Sequence, residues 1–283
     1  MMPLVVVAHI ALASANPTVI TMPDWAAKPH AEDFSKAYPA IALMLAFDGR
    51  ATLRCQVSKS GALEACAVDD ESPAGLGFGK AALTVAAKFR MKPVTVNGKP
   101  VAGGTVRIPL SFQAGPPSDF DAGRKYQPPK STLDRKVLAR SIMTREPVAS
   151  LVNEQRETVI AETNTTDYGP PPPGENPQDW GAAQVAIAKF SLTMSDKIQD
   201  LFAAEIASRY SEQQLRTSAG EQTSTESLKM FGQILAELDI LGLVTYAALY
   251  AKDTVQAEYC RGRPCENAPE NSHGGAQAGQ AAP

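Results

Sequence analysis

Histidine is scarce in this 283-residue chain, with three in all. His9 lies in an apolar N-terminal run, and His30 and His273 lie in polar stretches. A hydrolase triad or a histidine-ligated metal site has little to draw on. A surplus of one charge is also missing. Basic residues number 27 and acidic ones 30, a formal net charge of −3. Nucleic acid and anionic membrane surfaces are therefore not expected as main partners. Long apolar runs are absent too. The N-terminal run and Ile240–Ala251 each extend over about 12 residues, against the ~20 that a membrane-spanning helix needs.

Nucleotide signatures are wanting as well. Gly75, Gly77 and Gly79 lie between an expected strand and an expected helix. Their spacing fits neither G-x-G-x-x-G nor the P-loop. Asp69, Asp70 and Glu71 would repel phosphate beside them, and read as a solvated loop rather than a calcium site. No cofactor is expected.

What is present begins with a leader-like segment. The apolar run ends in Ala13-Ser14-Ala15 before Asn16, the small-x-small form of a signal-peptide cleavage site. Residues 1–15 are expected to be an export signal, although no Lys or Arg precedes the run. Residues 16–35 are polar and spaced by prolines, as in an extended arm.

The most informative stretch is Tyr38–Phe112. Tyr38-Pro39 opens a short helix, Ala40–Ala46, closed by Asp48-Gly49. In Ala51–Val57, Leu53, Cys55 and Val57 alternate with polar residues, the period of a half-buried strand. Ala62–Asp69 is its hairpin partner. With Ser60-Gly61 as a two-residue turn, Cys55 falls opposite Cys66, within reach of a disulfide. Export favours that bond, and two reduced core cysteines are the alternative. Lys80–Arg90 is an amphipathic helix with Ala82, Leu83, Ala86 and Phe89 on one face, and Pro93 ends it. Asn97-Gly98 signals a turn, and Val101 begins a new edge. In the last strand, Thr105–Phe112, the residues Val106, Ile108, Leu110 and Phe112 share a face. Pro109 places this strand at a sheet edge, because proline cannot donate a ladder hydrogen bond.

Tyr38-Pro39-x-x-Ala42, the run from Gly49 through Leu53, Cys55, Val57 and Gly61 to Leu63, the helix ending Phe89-Arg90-x-x-Pro93, Gly98-x-Pro100-Val101 and Ile108-Pro109-x-x-Phe112 occur in order. Together they resemble the TonB C-terminal domain family. The resemblance implies an α+β module, a small antiparallel sheet with packed helices, working in the periplasm of a Gram-negative bacterium. It also implies an envelope or outer-membrane protein as partner, held by sheet-edge pairing in the service of transmembrane transport. Such an edge offers unpaired main-chain groups for affinity. Thr105, Val106, Arg107, Ile108, Leu110 and Phe112 are the expected partner-binding edge. Energy transducers of this family carry a membrane anchor and a long Pro-rich spacer. Here a short arm precedes the module and some 170 residues follow it, so recognition rather than force relay is the expectation.

The remainder reads as helical. Residues 116–130 look like a linker and 131–259 like a helical domain, with the TonB-like module itself at 30–115. Ser131–Glu162 is helix-rich, with Ser131 or Thr132 as its cap and a break near Pro147. Pro170–Pro173 forms a stiff spacer. Trp180–Ser211 reads as a helix with a broad apolar stripe that includes Val185 and Leu192. Ser211 caps the next helix, and Thr225–Asp253 is helical again, with Ile240–Ala251 as a buried core segment. Ala204–Leu215 resembles a family of secreted helical domains, without chemistry attached. Cys260 and Cys265, spaced C-x4-C, are expected to close a local disulfide rather than hold zinc. The tail after them is Gly/Ala/Gln-rich and expected to be disordered.

The function expected is a non-enzymatic periplasmic protein-interaction module of TonB type. One alternative is a true energy transducer whose start lies upstream. Another is an enzyme with its site in the helical half, where Glu154, Glu157 and Glu162 more simply make a solvated face. No feature of the sequence sets the oligomeric state.

Overall fold

The computed structural model describes residues 19–267 except 94, 97–98, 101–103, 116–120, 145–148, 151–152, 155–156, 158–167, 221–228, 230–231 and 235. The expected signal peptide, the Asn97-Gly98 turn, Val101, Glu162, the beginning of the Thr225 helix and the tail from 268 lie outside the described residues. Contacts divide the chain into two compact units that do not follow chain order. One comprises the chain up to Ala37 with Ala51–Glu71 and Gly79–Leu110. The other comprises Tyr38–Arg50, Ser72–Phe78 and the chain from Ser111 onward.

The α+β expectation holds, and the sheet is mixed. Strands β1 (Val19–Ile20), β2 (Trp25–Ala27), β3 (Gly49–Val57), β4 (Leu63–Ser72), β5 (Arg90–Met91), β6 (Thr95–Val96), β7 (Lys99–Pro100) and β8 (Thr105–Phe112) form three sheets. The main one has the order β1-β8-β3-β4, with β2-β5 and β6-β7 as separate pairs. β1 runs parallel to β8, with Val19 opposite Thr105 and Ile20 opposite Val106. This two-residue parallel strand is an addition to the small antiparallel sheet expected.

The hairpin turn also differs from its expected form. Gly61 donates its N–H to the Ser58 carbonyl at 3.0 Å, and Ser58 donates to the Ala62 carbonyl at 2.9 Å. The loop is therefore Lys59-Ser60-Gly61, a three-residue turn closed by a left-handed glycine with φ +79°. Glycine is required there for a second reason: a Cβ would lie 1.9 Å from the Met91 carbonyl oxygen. The disulfide still joins Cys55 to Cys66, with Cα atoms 4.0 Å apart. Between turn and disulfide the register advances by one residue. Ala65, with φ +46°, is placed to absorb it as a bulge in β4.

In β3, Ala51, Leu53, Cys55 and Val57 are buried, and in β8 Val106, Ile108, Leu110 and Phe112 are buried. Helix α1 (Ala31–Ala37) was not anticipated: His30 donates its N–H to the Asp33 carboxylate, and Glu32 pairs with Lys36 one turn on. Helix α2 (Ala40–Met44) begins after Pro39 as expected. Helix α3 (Phe78–Ala86) starts earlier than the sequence suggested, and stops sooner because Arg90 and Met91 are drawn into pairing with β2. Its buried positions are Phe78, Ala81, Ala82, Val85 and Ala86, continued by Phe89. That i, i+3, i+4, i+7 row leaves Leu83 outside, 38% exposed.

Within the second unit, Tyr38, Phe78 and Phe112 meet ring to ring, at centroid distances of 5.5–5.9 Å. The Tyr38 hydroxyl donates to the Phe47 carbonyl at 2.6 Å. Burial, and then the nearby Asp48 carboxylate, push the Tyr38 phenol well above its ordinary pKa. The carbonyls that end α2, on Leu45 and Ala46, accept from Gln256 Nε2 at 2.9 and 3.0 Å. These are the orphan acceptors that every helix terminus must satisfy.

The stretch expected as a linker carries helix α4 (Asp121–Lys125). Further helices are α5 (Leu133–Met143), α6 (Pro177–Ala188), α7 (Phe190–Arg209), α8 (Glu212–Gly220) and α9 (Ile240–Cys260). Thr132 caps α5, accepting from the Arg135 N–H. Ser211 and Gln214 form a reciprocal capping box at the start of α8. The single helix expected from Trp180 to Ser211 is two helices meeting at Lys189. Its stripe also differs, since Val185 and Leu192 are exposed. Ala139, Ile142 and Met143 of α5 pack with Ala203, Ile206 and Ala207 of α7 and with Leu215 of α8. Small residues bring these helix backbones close together. Gly123 shows the same logic: a Cβ there would lie 2.5 Å from the α9 backbone at Thr245–Tyr246. In α9 the buried stripe is Leu243, Ala247, Ala251, Val255 and Tyr259, and Ile240, Leu241 and Tyr250 are exposed. Ile240–Ala251 is thus a half-buried amphipathic run, not a wholly buried one. Cys260 and Cys265 are bonded to each other.

Candidate functional site

The candidate site is an edge of the main sheet, and its chemistry is that of the backbone. β3 and β8 are antiparallel. The Val57 N–H donates to the Gly104 carbonyl at 3.1 Å at one end, and the Ala114 N–H donates to Asp48 Oδ1 at 2.8 Å at the other. In such a pair, a residue's N–H and C=O point to the same side and alternate along the strand. Gly104 faces β3, so Val106, Ile108, Leu110 and Phe112 also turn their main-chain groups to β3. Thr105, Arg107, Pro109 and Ser111 turn theirs outward.

This alternation explains Pro109. Its missing N–H belongs to the outward set, so the ladder to β3 is intact and the gap falls on the outer side. The side chains follow the same rhythm, with Val106, Ile108, Leu110 and Phe112 buried and Arg107, Pro109 and Ser111 exposed. Arg107 reaches back over the sheet, its Nε 3.3 Å from an Asp69 carboxylate oxygen. Arg54 Nε lies 3.1 Å from the other oxygen. Asp69 is therefore committed to two arginines. Glu71 accepts the Gly79 N–H at 2.7 Å at the start of α3, where a bound phosphate would otherwise be favoured. Asp69, Asp70 and Glu71 thus lie in β4 and not in the solvated loop expected, with Asp69 and Glu71 held by these contacts. Among the described residues, no group of three or more metal-capable side chains occurs.

β8 is not a bare edge over its whole length. β1 covers Thr105 and Val106, and among the described residues no strand continues beside Arg107–Phe112 on that side. Of the expected edge residues, only Thr105 and Arg107 turn their main-chain groups outward, beside β1, whereas Val106, Ile108, Leu110 and Phe112 turn theirs to β3. The sequence did not single out Val19 and Ile20. Two apolar residues between Pro17 and Pro23 are a weak signal, though a β-branched pair bounded by prolines is consistent with a short strand.

The opposite margin, β4, is blunted. Ala62 bridges to Arg90, Ala65 carries the bulge-type φ, and Glu64, Asp69 and Asp70 place three carboxylates along the strand. Bulges and charges are standard protections against unwanted strand pairing.

Other polar clusters have local explanations. The Tyr126 hydroxyl donates to Glu205 Oε1 at 2.7 Å, and Glu205 also pairs with Arg209. Burial first, and then this hydrogen bond, push the Tyr126 phenol well above its ordinary pKa. Lys197 lies over the Tyr250 ring at 4.1 Å, its pKa lowered by burial and then by Lys136. A shallow depression of about 400 Å³ is lined by Arg140, Asp196, Gln199 and Asp200 among others. Its Arg140 is paired with Asp200. No helix among the described residues is long and apolar enough to cross a membrane.

The main sheet thus has one blunted margin and one strand with part of its outer side uncovered among the described residues. Residues 35–114 match the family described as Gram-negative bacterial TonB protein C-terminal. That match covers a little over a quarter of the chain, and is to a protein-interaction family of the Gram-negative envelope. An uncharacterised protein of Caulobacter vibrioides is 38% identical over 63 residues, which span 22% of this chain and 63% of that relative. No solved structure matches the chain.

Proposed function

We propose that the TonB-type module is a periplasmic recognition device. In this reading it takes an extended segment of an outer-membrane or other envelope protein along the outer side of β8, and performs no catalysis. The observation that carries this reading is the outward set of main-chain groups beyond the arm, namely the carbonyls of Arg107 and Pro109 and both groups of Ser111, beside an otherwise blunted sheet. Backbone pairing supplies affinity, and alternate side chains supply selection. The helical residues after Ser111 add a second surface for an adaptor role in envelope transport.

The test uses the full chain as bait on detergent-solubilised envelope proteins of Caulobacter vibrioides. Ser111→Pro removes an outward N–H without removing a buried side chain. Capture of an outer-membrane protein by the wild type, weakened at least about tenfold in Ser111→Pro, is the expected outcome, since losing strand hydrogen bonds costs on the order of 1–2 kcal/mol. Equal capture by both proteins would refute pairing along β8.

A further inference from the structure

β1 occupies part of the strand edge just described. Val19 and Ile20 lie parallel to Thr105 and Val106, at the beginning of β8's outer side. The pairing is two residues long, Val19 is 61% exposed and Ile20 is half-buried. Such a short contact is marginal on its own.

The chain just beyond it is held much more firmly. Trp25 stacks against Phe89 at a centroid distance of 4.8 Å, β2 pairs with β5, and Lys92 meets Asp24 at 3.0 Å. Four residues, Thr21 to Asp24, connect the weak contact to this anchor. Residues 19–20 can leave β8 while Trp25 stays in place. They then remain at a high effective concentration, which for short tethers is on the order of millimolar.

We infer that the Val19–Ile20 arm is a built-in competitor for β8. A partner strand that pairs along all of Thr105–Phe112 must displace it, and a shorter one that leaves the Arg107 N–H to the Ile20 carbonyl need not. The arm shortens the recognition edge from eight residues to six, and its release restores the full length. This rests on the proposed role of β8. It adds that the site regulates its own access and selects partners by strand length.

The experiment needs no natural partner. Ile20→Pro removes the arm's N–H from the pairing, and Ile20→Ala serves as a control that keeps it. Amide hydrogen exchange is followed at Thr105, whose N–H faces the arm, and a synthetic peptide copying residues 16–23 is added in trans. Ile20→Pro is expected to speed exchange at Thr105, with Ile20→Ala near wild type. The peptide is expected to shift amide resonances along Thr105–Ser111 in Ile20→Pro, with an apparent affinity at least about threefold above wild type, as removal of a competing state requires. Unchanged exchange at Thr105 would overturn the inference. So would equal peptide binding by wild type and Ile20→Pro, or no binding by either. Peptide binding without capture of an envelope protein would contradict the proposed function and leave the arm's role standing.

Discussion

At the scale of single residues, the hairpin is held by one covalent bond and one glycine. Cys55 is fully buried and bonded to Cys66 across a sequence separation of 11. Replacing both by serine is expected to lower stability by about 2–3 kcal/mol, by the loop-closure argument, measured by urea unfolding of the oxidised wild type against the double variant. Gly61→Ala forces a side chain into a left-handed backbone and onto the Met91 carbonyl. It is expected to cost more than about 1 kcal/mol in the same assay. The cysteine pair was legible because strand alternation placed the two residues opposite each other across the hairpin. The turn was not, because Ser60-Gly61 satisfies a two-residue loop as well as a three-residue one, and the Met91 contact that decides between them is distant in sequence.

Buried tyrosines carry a pH dependence, most strongly Tyr38 and Tyr126, and in the same direction Tyr259. Tyr38 and Tyr126 both have phenols raised well above 10.0, chiefly by burial. Folding therefore holds these protons more tightly than the unfolded chain does. The stability they contribute is complete below the unfolded phenol's pKa near 10 and is lost as pH climbs towards the folded values. Ultraviolet titration is expected to show these two phenols ionising well above pH 10, together with unfolding. Ionisation of Tyr38 and Tyr126 near 10, with the fold intact, would contradict it.

At the scale of elements, β8 was read correctly as to its faces and incompletely as to its neighbours. The alternation of Val106, Ile108, Leu110 and Phe112 predicts their burial, and Pro109 predicts an unpaired side. The arm that covers Thr105–Val106 could not be foreseen, because two residues carry too little periodicity to define a strand. Pro109→Val restores an N–H to the outer side, and is expected to tighten strand binding several-fold in the peptide assay on the Ile20→Pro background. The limits of helices were harder to see than their existence. Lys189 separates α6 from α7, although no proline or glycine stands at the junction. The helix α2 terminus illustrates a tertiary device outside local pattern. Gln256 satisfies two carbonyls more than 200 residues away, and Gln256→Ala is expected to cost about 1–3 kcal/mol by leaving them unpaired.

At the scale of the whole molecule, the chain joins a segment like the TonB C-terminal family to a mainly helical remainder. Residues 35–114 match the TonB C-terminal family, and that much was legible from the ordered set of glycines, prolines and aromatics. The compact units, however, interleave: Tyr38–Arg50 and Ser72–Phe78 group with the helical chain from Ser111 onward. Local sequence does not encode such grouping, since it depends on which distant side chains fill the same core. Interleaving also means that the sheet edge is best tested in the intact chain.

The central claim is that β8 receives a partner strand. A photo-crosslinking amino acid placed at Ser111, and in a separate protein at Ala67 on the blunted β4, tests it most directly in living Gram-negative cells made to express the full chain. The account predicts a crosslink to an envelope protein from position 111 and none from position 67. A crosslink from position 67 alone, or equal yields from both, would contradict it.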